Sequence, residues 1–354
     1  MNNTNSYLNK NKKPLLIAGP CSAETEEQVL ETARQLKANG VSPIFRAGVW
    51  KPRTKPGGFE GVGAQGLAWL IKVKQELGFP VATEVANAKH VELALNSGID
   101  IVWLGARTIA NPFTVQEIAD ALRGANVEVM IKNPVVPDLA LWIGAIERIE
   151  KAGIAAVAAI HRGFSGYQKT TYRNQPLWQI PIELKRQFPE LPLLCDPSHI
   201  GGKREYLQEI LQKAADLDYD GWMIETHIEP ETAWSDSAQQ ITPTDLAALL
   251  NKITLRSPHN DGFIYSIQEL RTHIDVLDEQ LIELLAQRMK IAESIGRQKK
   301  VSGVTILQAQ RRREIMKQAL AKGAELGFPD TFIEELMELI HQESINRQTT
   351  IMNE

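Results

Sequence analysis

From Leu15 onward, eight short runs rich in Val, Ile and Ala alternate with longer stretches of helical period. This alternation restricts the chain to βα units around a parallel sheet. The runs are Leu15 to Gly19, Pro43 to Ala47, Val81 to Glu84, Ile101 to Leu104, Val127 to Lys132, Ala156 to Ile160, Leu191 to Cys195 and Gly221 to Glu225. Between them lie helical segments: Glu26 to Asn39, Gly66 to Leu77, Asn87 to Ser97, Phe113 to Leu122, Leu139 to Ala152, Pro181 to Phe188 and Arg204 to Ala215, with Asp245 to Ile253 closing the series. Eight units in roughly 240 residues match one (β/α)8 TIM barrel. A doubly wound sheet is the alternative, but it lacks a clear Gly-rich dinucleotide turn.

At 354 residues the chain exceeds the size at which a single core stops growing, so a second domain is expected. Turn and breaker residues follow Leu255 in the stretch Arg-Ser-Pro-His-Asn-Asp-Gly, and beyond it strand-like runs vanish. Apolar residues then recur at helical spacing, from Leu270 and Ile274 through Leu277, Leu281, Leu284, Leu285 and Met289 to Ile295. The reading is a disordered lead-in over 1–14, a barrel over 15–255, a linker over 256–265 and an all-α domain over 266–354. Ser266 with Glu269 three residues on forms a capping box that starts the first tail helix.

The net charge of −4 gives no general attraction to nucleic acid or an anionic membrane, so phosphate binding requires locally clustered Arg and Lys. The polar N-terminus has no signal-peptide or membrane-spanning stretch, and no regulatory domain is expected before Leu15. Two cysteines are too few for a disulfide framework and suit the reducing cytoplasm.

Active sites of such barrels form at the C-terminal strand ends. Here those ends carry Cys21, Arg46, Glu84, Arg107, Lys132, His161 with Arg162, Asp196 with His199, and Glu225. Singly, each has an ordinary reading: Cys21 as a small core residue, His199 as a loop cap, Glu225 and Asp236 as solvated acids. Together, a Cys, a His, a Glu and an Asp on converging strand ends can ligate a divalent transition metal, with iron, manganese, cobalt or zinc favoured over magnesium.

Gly19-Pro20-Cys21-Ser22, Lys51-Pro52-Arg53-Thr54, Gly105-Ala106-Arg107-Thr108, Asp196-Pro197-Ser198-His199 and Ile224-Glu225 resemble, in order, the motif series of type I 3-deoxy-D-arabino-heptulosonate 7-phosphate (DAHP) synthases. The resemblance runs from about Leu15 to Ile253. It implies Cys21, His199, Glu225 and Asp236 as ligands of a divalent metal ion (Mn, Fe, Co or Zn). It implies Arg46, Lys51, Arg107, Lys132 and Arg162 as holding phosphoenolpyruvate, with Glu84 and the backbone at Ala106 beside it, and Arg53 and Thr54 as binding the phosphate of erythrose 4-phosphate. Arg suits such groups through planar bidentate bonding, Lys as a compact charge. Lys51 is the candidate catalytic proton donor to the aldehyde oxygen. The implied reaction joins C3 of phosphoenolpyruvate to that aldehyde, adds water at C2 and releases phosphate. The alternatives are a 3-deoxy-D-manno-octulosonate 8-phosphate synthase-like barrel, from which the Pro52-Arg53 element distinguishes it, and a Schiff-base aldolase using Lys132.

A first tail helix from Ser266 to about Lys300 would be on the order of 50 Å long, too long to bury its face within its own small domain. It points to an intertwined homodimer, with a plain coiled coil as the alternative. Arg288 and Lys299 share a face, separated by about 20° around the helix at 100° per residue. Arg271 lies roughly 25 Å back along the axis on another side, so it reaches that pocket only from a second chain.

Leu270-Arg271, Leu277-Asp278, Leu284-Leu285, Arg288, Gly296, Lys299, Arg311, Ser344 and Gln348 resemble the all-helical class of chorismate mutases, over about Ser266 to Thr350. The resemblance implies that Arg288 and the other chain's Arg271 hold the carboxylates of chorismate, with Arg311 nearby. Lys299 and Gln348 would donate to its ether oxygen as the catalytic pair, and Ser344 would orient a hydroxyl or carboxylate. Gln308 and Arg312 depart from the family pattern, standing where acids are usual. The lost acid at Arg312 puts recognition of the substrate hydroxyl in question. It keeps open a tail that only dimerises and senses prephenate, regulating the barrel.

Overall fold

The structure, a computed structural model, describes residues 6–9, 14–51, 57–154, 157–166, 170–256 and 261–353, with backbone alone for 261–267 and 269. The chain forms two compact units, Met1–Pro258 and His259–Glu354.

The first unit is a closed barrel of eight parallel strands in sequential order, which excludes the doubly wound sheet. The strands are β1 Leu15–Gly19, β2 Ile44–Arg46, β3 Val81–Val85, β4 Ile101–Leu104, β5 Glu128–Lys132, β6 Val157–His161, β7 Leu193–Cys195 and β8 Gly221–Glu225. Pairing of β1 with β8, from Leu15 opposite Gly221 to Gly19 opposite Glu225, closes the ring. The helices around it are α1 Glu26–Ala38, α2 Ala64–Leu77, α3 Ala88–Ser97, α4 Ala106–Ile109, α5 Pro112–Leu122, α6 Leu139–Lys151, α7 Gln179–Gln187, α8 Pro197–Gly201, α9 Leu207–Asp216 and α10 Pro243–Leu250.

The strands read as continuous apolar runs because both faces are buried. One face fills the barrel with Ile17, Ile101, Trp103, Met130, Ile160 and Met223; the other, with Val102, Ile131 and Ile224, meets the helices. Local chemistry sets the helix starts: Thr25, Asn87, Asn111, Asp138 and Thr242 each accept a backbone N–H of the first turn.

Several elements differ from the sequence reading. The stretch Arg204 to Ala215 begins with a 3-10 turn over Arg204–Tyr206 before α9. Two unforeseen one-turn helices, α4 and α8, follow β4 and β7; they are too short to leave a periodic signal. Part of the lead-in expected to be disordered is held: the backbone N–H groups of Tyr7 and Leu8 donate to Glu128 at 2.8 and 2.9 Å. Leu8, 4 % exposed, joins the cluster inside the barrel, and burial of its side chain offsets the entropy of ordering the segment.

The second unit is all helix: α11 Asp261–Ser302, α12 Ala309–Glu325 and α13 Asp330–Asn353. Helix α11 begins before the capping box, so Ser266 lies within the helix and is not its cap. At about 1.5 Å per residue, its 42 residues reach on the order of 60 Å. Gly296 lets α13 approach: a Cβ there would stand 3.1 Å from Gln348 Cγ.

Candidate active sites

At the C-terminal end of the barrel the chain leaves β1 through Gly19, where a Cβ would fall 2.1 Å from the Arg46 carbonyl oxygen, and φ is +146°. Only glycine fits there, and it turns Cys21 into the strand-end cluster. Glu225 ends β8, and Asp236 lies in the loop beyond it with φ +48°. One donor atom each from Cys21, Glu225 and Asp236 lie within 4.8 Å of one another. His199, in α8, adds Nε2 at 3.8 Å from Glu225 Oε1.

This set fits a divalent transition metal. A thiol, an imidazole and two carboxylates combine soft and hard donors. Asp196 approaches His199 Nδ1 at 2.8 Å, which directs Nε2 toward the cluster, the carboxylate–imidazole arrangement common behind metals. Burial, then the Glu225 charge, pushes the Cys21 thiol up to about 12, so thiolate formation there calls for a strong positive charge. Burial works against ionisation of Asp236, but His199 and Arg173 outweigh it and lower its pKa. Lys51 Nζ lies 3.0 Å from Cys21 Sγ; burial opposes its charge, yet Cys21, Glu225 and Glu84 together raise its pKa.

Beside the cluster is a cavity of about 240 Å³ lined by Lys51, Glu84, Ala106, Arg107, Lys132, Arg162 and Arg173, together with His199 and Asp236. Five cations around one small cavity suit a substrate bearing phosphate and carboxylate. Lys132 Nζ donates to Asp196 at 2.8 Å, and Glu84 accepts from Trp103 Nε1 at 3.1 Å. Burial lowers the Arg162 pKa to about 10, which leaves it charged.

Not every expected residue lines this cavity. Arg46, 1 % exposed, is held behind it: its guanidinium donates to Glu225 at 3.0 Å and to the Cys21 carbonyl at 2.9 Å, over the Trp103 ring. Arg53 and Thr54 lie outside the described residues. Arg173 and Gln239 were missed. Arg173 donates to Asp236 at 3.0 Å and to Gln239 at 2.8 Å, while Gln239 donates to Glu225 at 2.6 Å. Arg173 occupies an irregular stretch and Gln239 ends a three-residue 3-10 turn, with no periodicity or motif to single them out.

The tail unit has its own cavity of about 310 Å³, bounded by all three helices. Arg288, Lys299, Arg311, Ser344 and Gln348 line it, together with Gln308, Arg312 and an apolar wall including Ile291, Ile295 and Ile345. Arg288 Nη1 donates to Ser344 Oγ at 2.5 Å, and Lys299 Nζ to the Ile306 carbonyl at 2.6 Å. Burial lowers the Lys299 pKa. Arg271 is exposed on the N-terminal half of α11, outside this lining. His341 also lines the cavity and was missed, although its spacing of three and seven residues from Ser344 and Gln348 puts it on their face of α13.

Residues 2–256 match the DAHP synthetase I family, and residues 270–349 match chorismate mutase type II. A phospho-2-dehydro-3-deoxyheptonate aldolase of Thermotoga maritima is 32 % identical over 226 residues, 64 % of each protein, so the match spans under two thirds of that relative. A 2-dehydro-3-deoxyphosphooctonate aldolase of Geobacter sulfurreducens is 30 % identical over 68 % of this chain and 92 % of its own length. A crystal structure of the Thermotoga maritima DAHP synthase superposes with a TM-score of 0.61 at 30 % identity, covering 67 % of each chain.

Proposed function

Because the chain belongs to the DAHP synthetase I family, we propose that it is a bifunctional enzyme of aromatic biosynthesis: its barrel condenses phosphoenolpyruvate with erythrose 4-phosphate, and its tail rearranges chorismate to prephenate. The observation that carries the barrel reading is the cluster of Cys21, Glu225 and Asp236, with His199 Nε2 3.8 Å from Glu225, beside a cavity lined by five cations.

In this reading Arg107, Lys132, Arg162 and Lys51 hold the phosphate and carboxylate of phosphoenolpyruvate, with Arg46 bracing Glu225 from behind. Cys21, His199, Glu225 and Asp236 hold a divalent metal (Mn, Fe, Co or Zn), which supplies Lewis-acid stabilisation of charge on the acceptor's aldehyde oxygen. Lys51, charged and beside Cys21, delivers the proton that this oxygen takes up as the new carbon–carbon bond forms. Arg53 and Thr54 receive the phosphate of erythrose 4-phosphate.

In the tail, the rearrangement needs no nucleophile, only a compact substrate conformer and stabilised charge at the ether oxygen. Arg288 and Arg311 hold carboxylates, Ser344 orients a hydroxyl or carboxylate, and Lys299 and Gln348 donate to the ether oxygen. The partner copy of α11 brings Arg271 and completes the pocket in a homodimer. Prephenate binding in the tail is proposed to feed back on the barrel. The location is proposed as cytoplasmic: both cysteines are free, and no helix among the described residues is long and apolar enough to cross a membrane.

The similarity to octulosonate aldolases supports a second reading, in which the acceptor is arabinose 5-phosphate. Fusion to a segment matching a chorismate mutase favours the heptulosonate product, a precursor of chorismate. The test is product formation from phosphoenolpyruvate with each sugar phosphate, alongside chorismate loss. Erythrose 4-phosphate as sole acceptor with chorismate turnover supports both assignments; product only from arabinose 5-phosphate sinks the first. A silent chorismate assay would leave the tail as a dimerisation and prephenate-sensing module.

A further inference from the structure

The tail cavity offers cations in abundance and acceptors in short supply. Arg288, Lys299, Arg311 and Arg312 line it, and no carboxylate does among the described residues. Guanidinium and ammonium groups donate hydrogen bonds but accept none. They suit the two carboxylates and the ether oxygen of chorismate, and leave the proton of its ring hydroxyl without a receiver.

Four lining side chains contain an acceptor. Ser344 Oγ is engaged, accepting from Arg288 at 2.5 Å and donating to the Ile340 carbonyl at 2.8 Å. Gln308 is exposed at the start of α12. Gln348 Oε1 is buried and unpartnered, but an amide that turns its NH2 toward the ether oxygen turns its carbonyl away from the substrate. His341 remains. Both of its ring nitrogens are enclosed and neither has a hydrogen-bond partner among the described residues, although such atoms are nearly always satisfied in a folded protein. The neutral ring offers one acceptor and one donor nitrogen.

We propose that His341 receives the substrate's ring hydroxyl in the tail and is a specificity-determining residue for it. The proposal rests on the mutase reading given above. Burial and two nearby guanidinium groups support the neutral form. Burial lowers the imidazole pKa first, and Arg288 on α11 and Arg312 on α12 lower it further, against Glu338 on α13. Arg312, standing where an acid would otherwise receive the hydroxyl, is itself tied to Glu338 at 3.2 Å, one turn before His341. The acceptor function has thus moved across the cavity, from α12 to α13.

The test uses the full chain with chorismate and with an analogue lacking the ring hydroxyl, in unaltered protein, H341L and H341Q. Leucine removes the acceptor, and kcat/KM for chorismate is expected to fall about tenfold or more while the analogue changes by less than about twofold. Glutamine, which restores an acceptor, should recover most of the difference. The unaltered enzyme should lose activity as pH falls through the lowered imidazole pKa, and H341Q should lack that limb. Equal losses with both substrates, or none with either, overturn the assignment and leave the mutase reading standing. An unaltered protein that converts neither substrate, yet forms heptulosonate phosphate in the same preparation, overturns both.

Discussion

Arg46 and Glu225 face each other at 3.0 Å with almost no exposure, so each cancels a charge that would be costly alone. Arg46→Met is expected to destabilise the metal-free barrel by about 3–5 kcal/mol, because Glu225 is left buried without its guanidinium partner. Added Mn²⁺ should recover part of that loss; urea unfolding followed by tryptophan fluorescence measures both. Asp196→Asn weakens the hold on His199 Nδ1, and competition with a chromogenic chelator should show metal affinity about 10–100-fold weaker while circular dichroism is unchanged. The residues at stake in these predictions differ in how readable they were. Cys21 and His199 follow Gly-Pro and Asp-Pro turns just past β1 and β7, and Glu225 ends β8, where a charge or thiol is conspicuous. For Arg46 the family resemblance implied a substrate contact; only the packed structure places its guanidinium against Glu225. Arg173 acts from an irregular segment, so nothing local marked it.

Helix α11 exposes Leu270, Ile274, Leu277, Leu281 and Leu284 by 53–61 % each, and no residue between Leu270 and Leu284 is buried. A stripe of leucines spaced by three and four residues and left in water is favourable only when covered, and a second copy offers a matching stripe. Leu277→Glu with Leu281→Glu is expected to halve the mass found by light scattering, and to abolish chorismate turnover by removing the partner's Arg271. Full dimer mass with normal turnover would rule out this face as the interface. Length and period made this helix legible, whereas its start was misread. An S/T-x-x-D/E pattern is also an ordinary i,i+3 pair on a helix surface, so Ser266 and Glu269 could not mark the cap by themselves.

For the whole molecule, the two cavities belong to separate compact units with unlike chemistry, a thiol–imidazole–carboxylate cluster in one and no carboxylate lining the other among the described residues. EDTA is therefore expected to stop heptulosonate phosphate formation, reversibly with Mn²⁺ or Zn²⁺, and to leave chorismate turnover within about twofold, since a pericyclic step draws on positioning and charge rather than on a metal. Loss of both activities would contradict this division. The alternation of apolar runs with helical periods sufficed to determine a (β/α)8 barrel followed by an all-helical segment, because each element buries a face whose period is set by its own backbone geometry. The convergence of Cys21 with Asp236, 215 residues apart, was decided only by tertiary structure. It depends on the register that closes β1 on β8, on Gly19 turning the chain, and on a loop held by Arg173 and Gln239. The same is true of His341, whose unpartnered nitrogens exist only because three helices close around them.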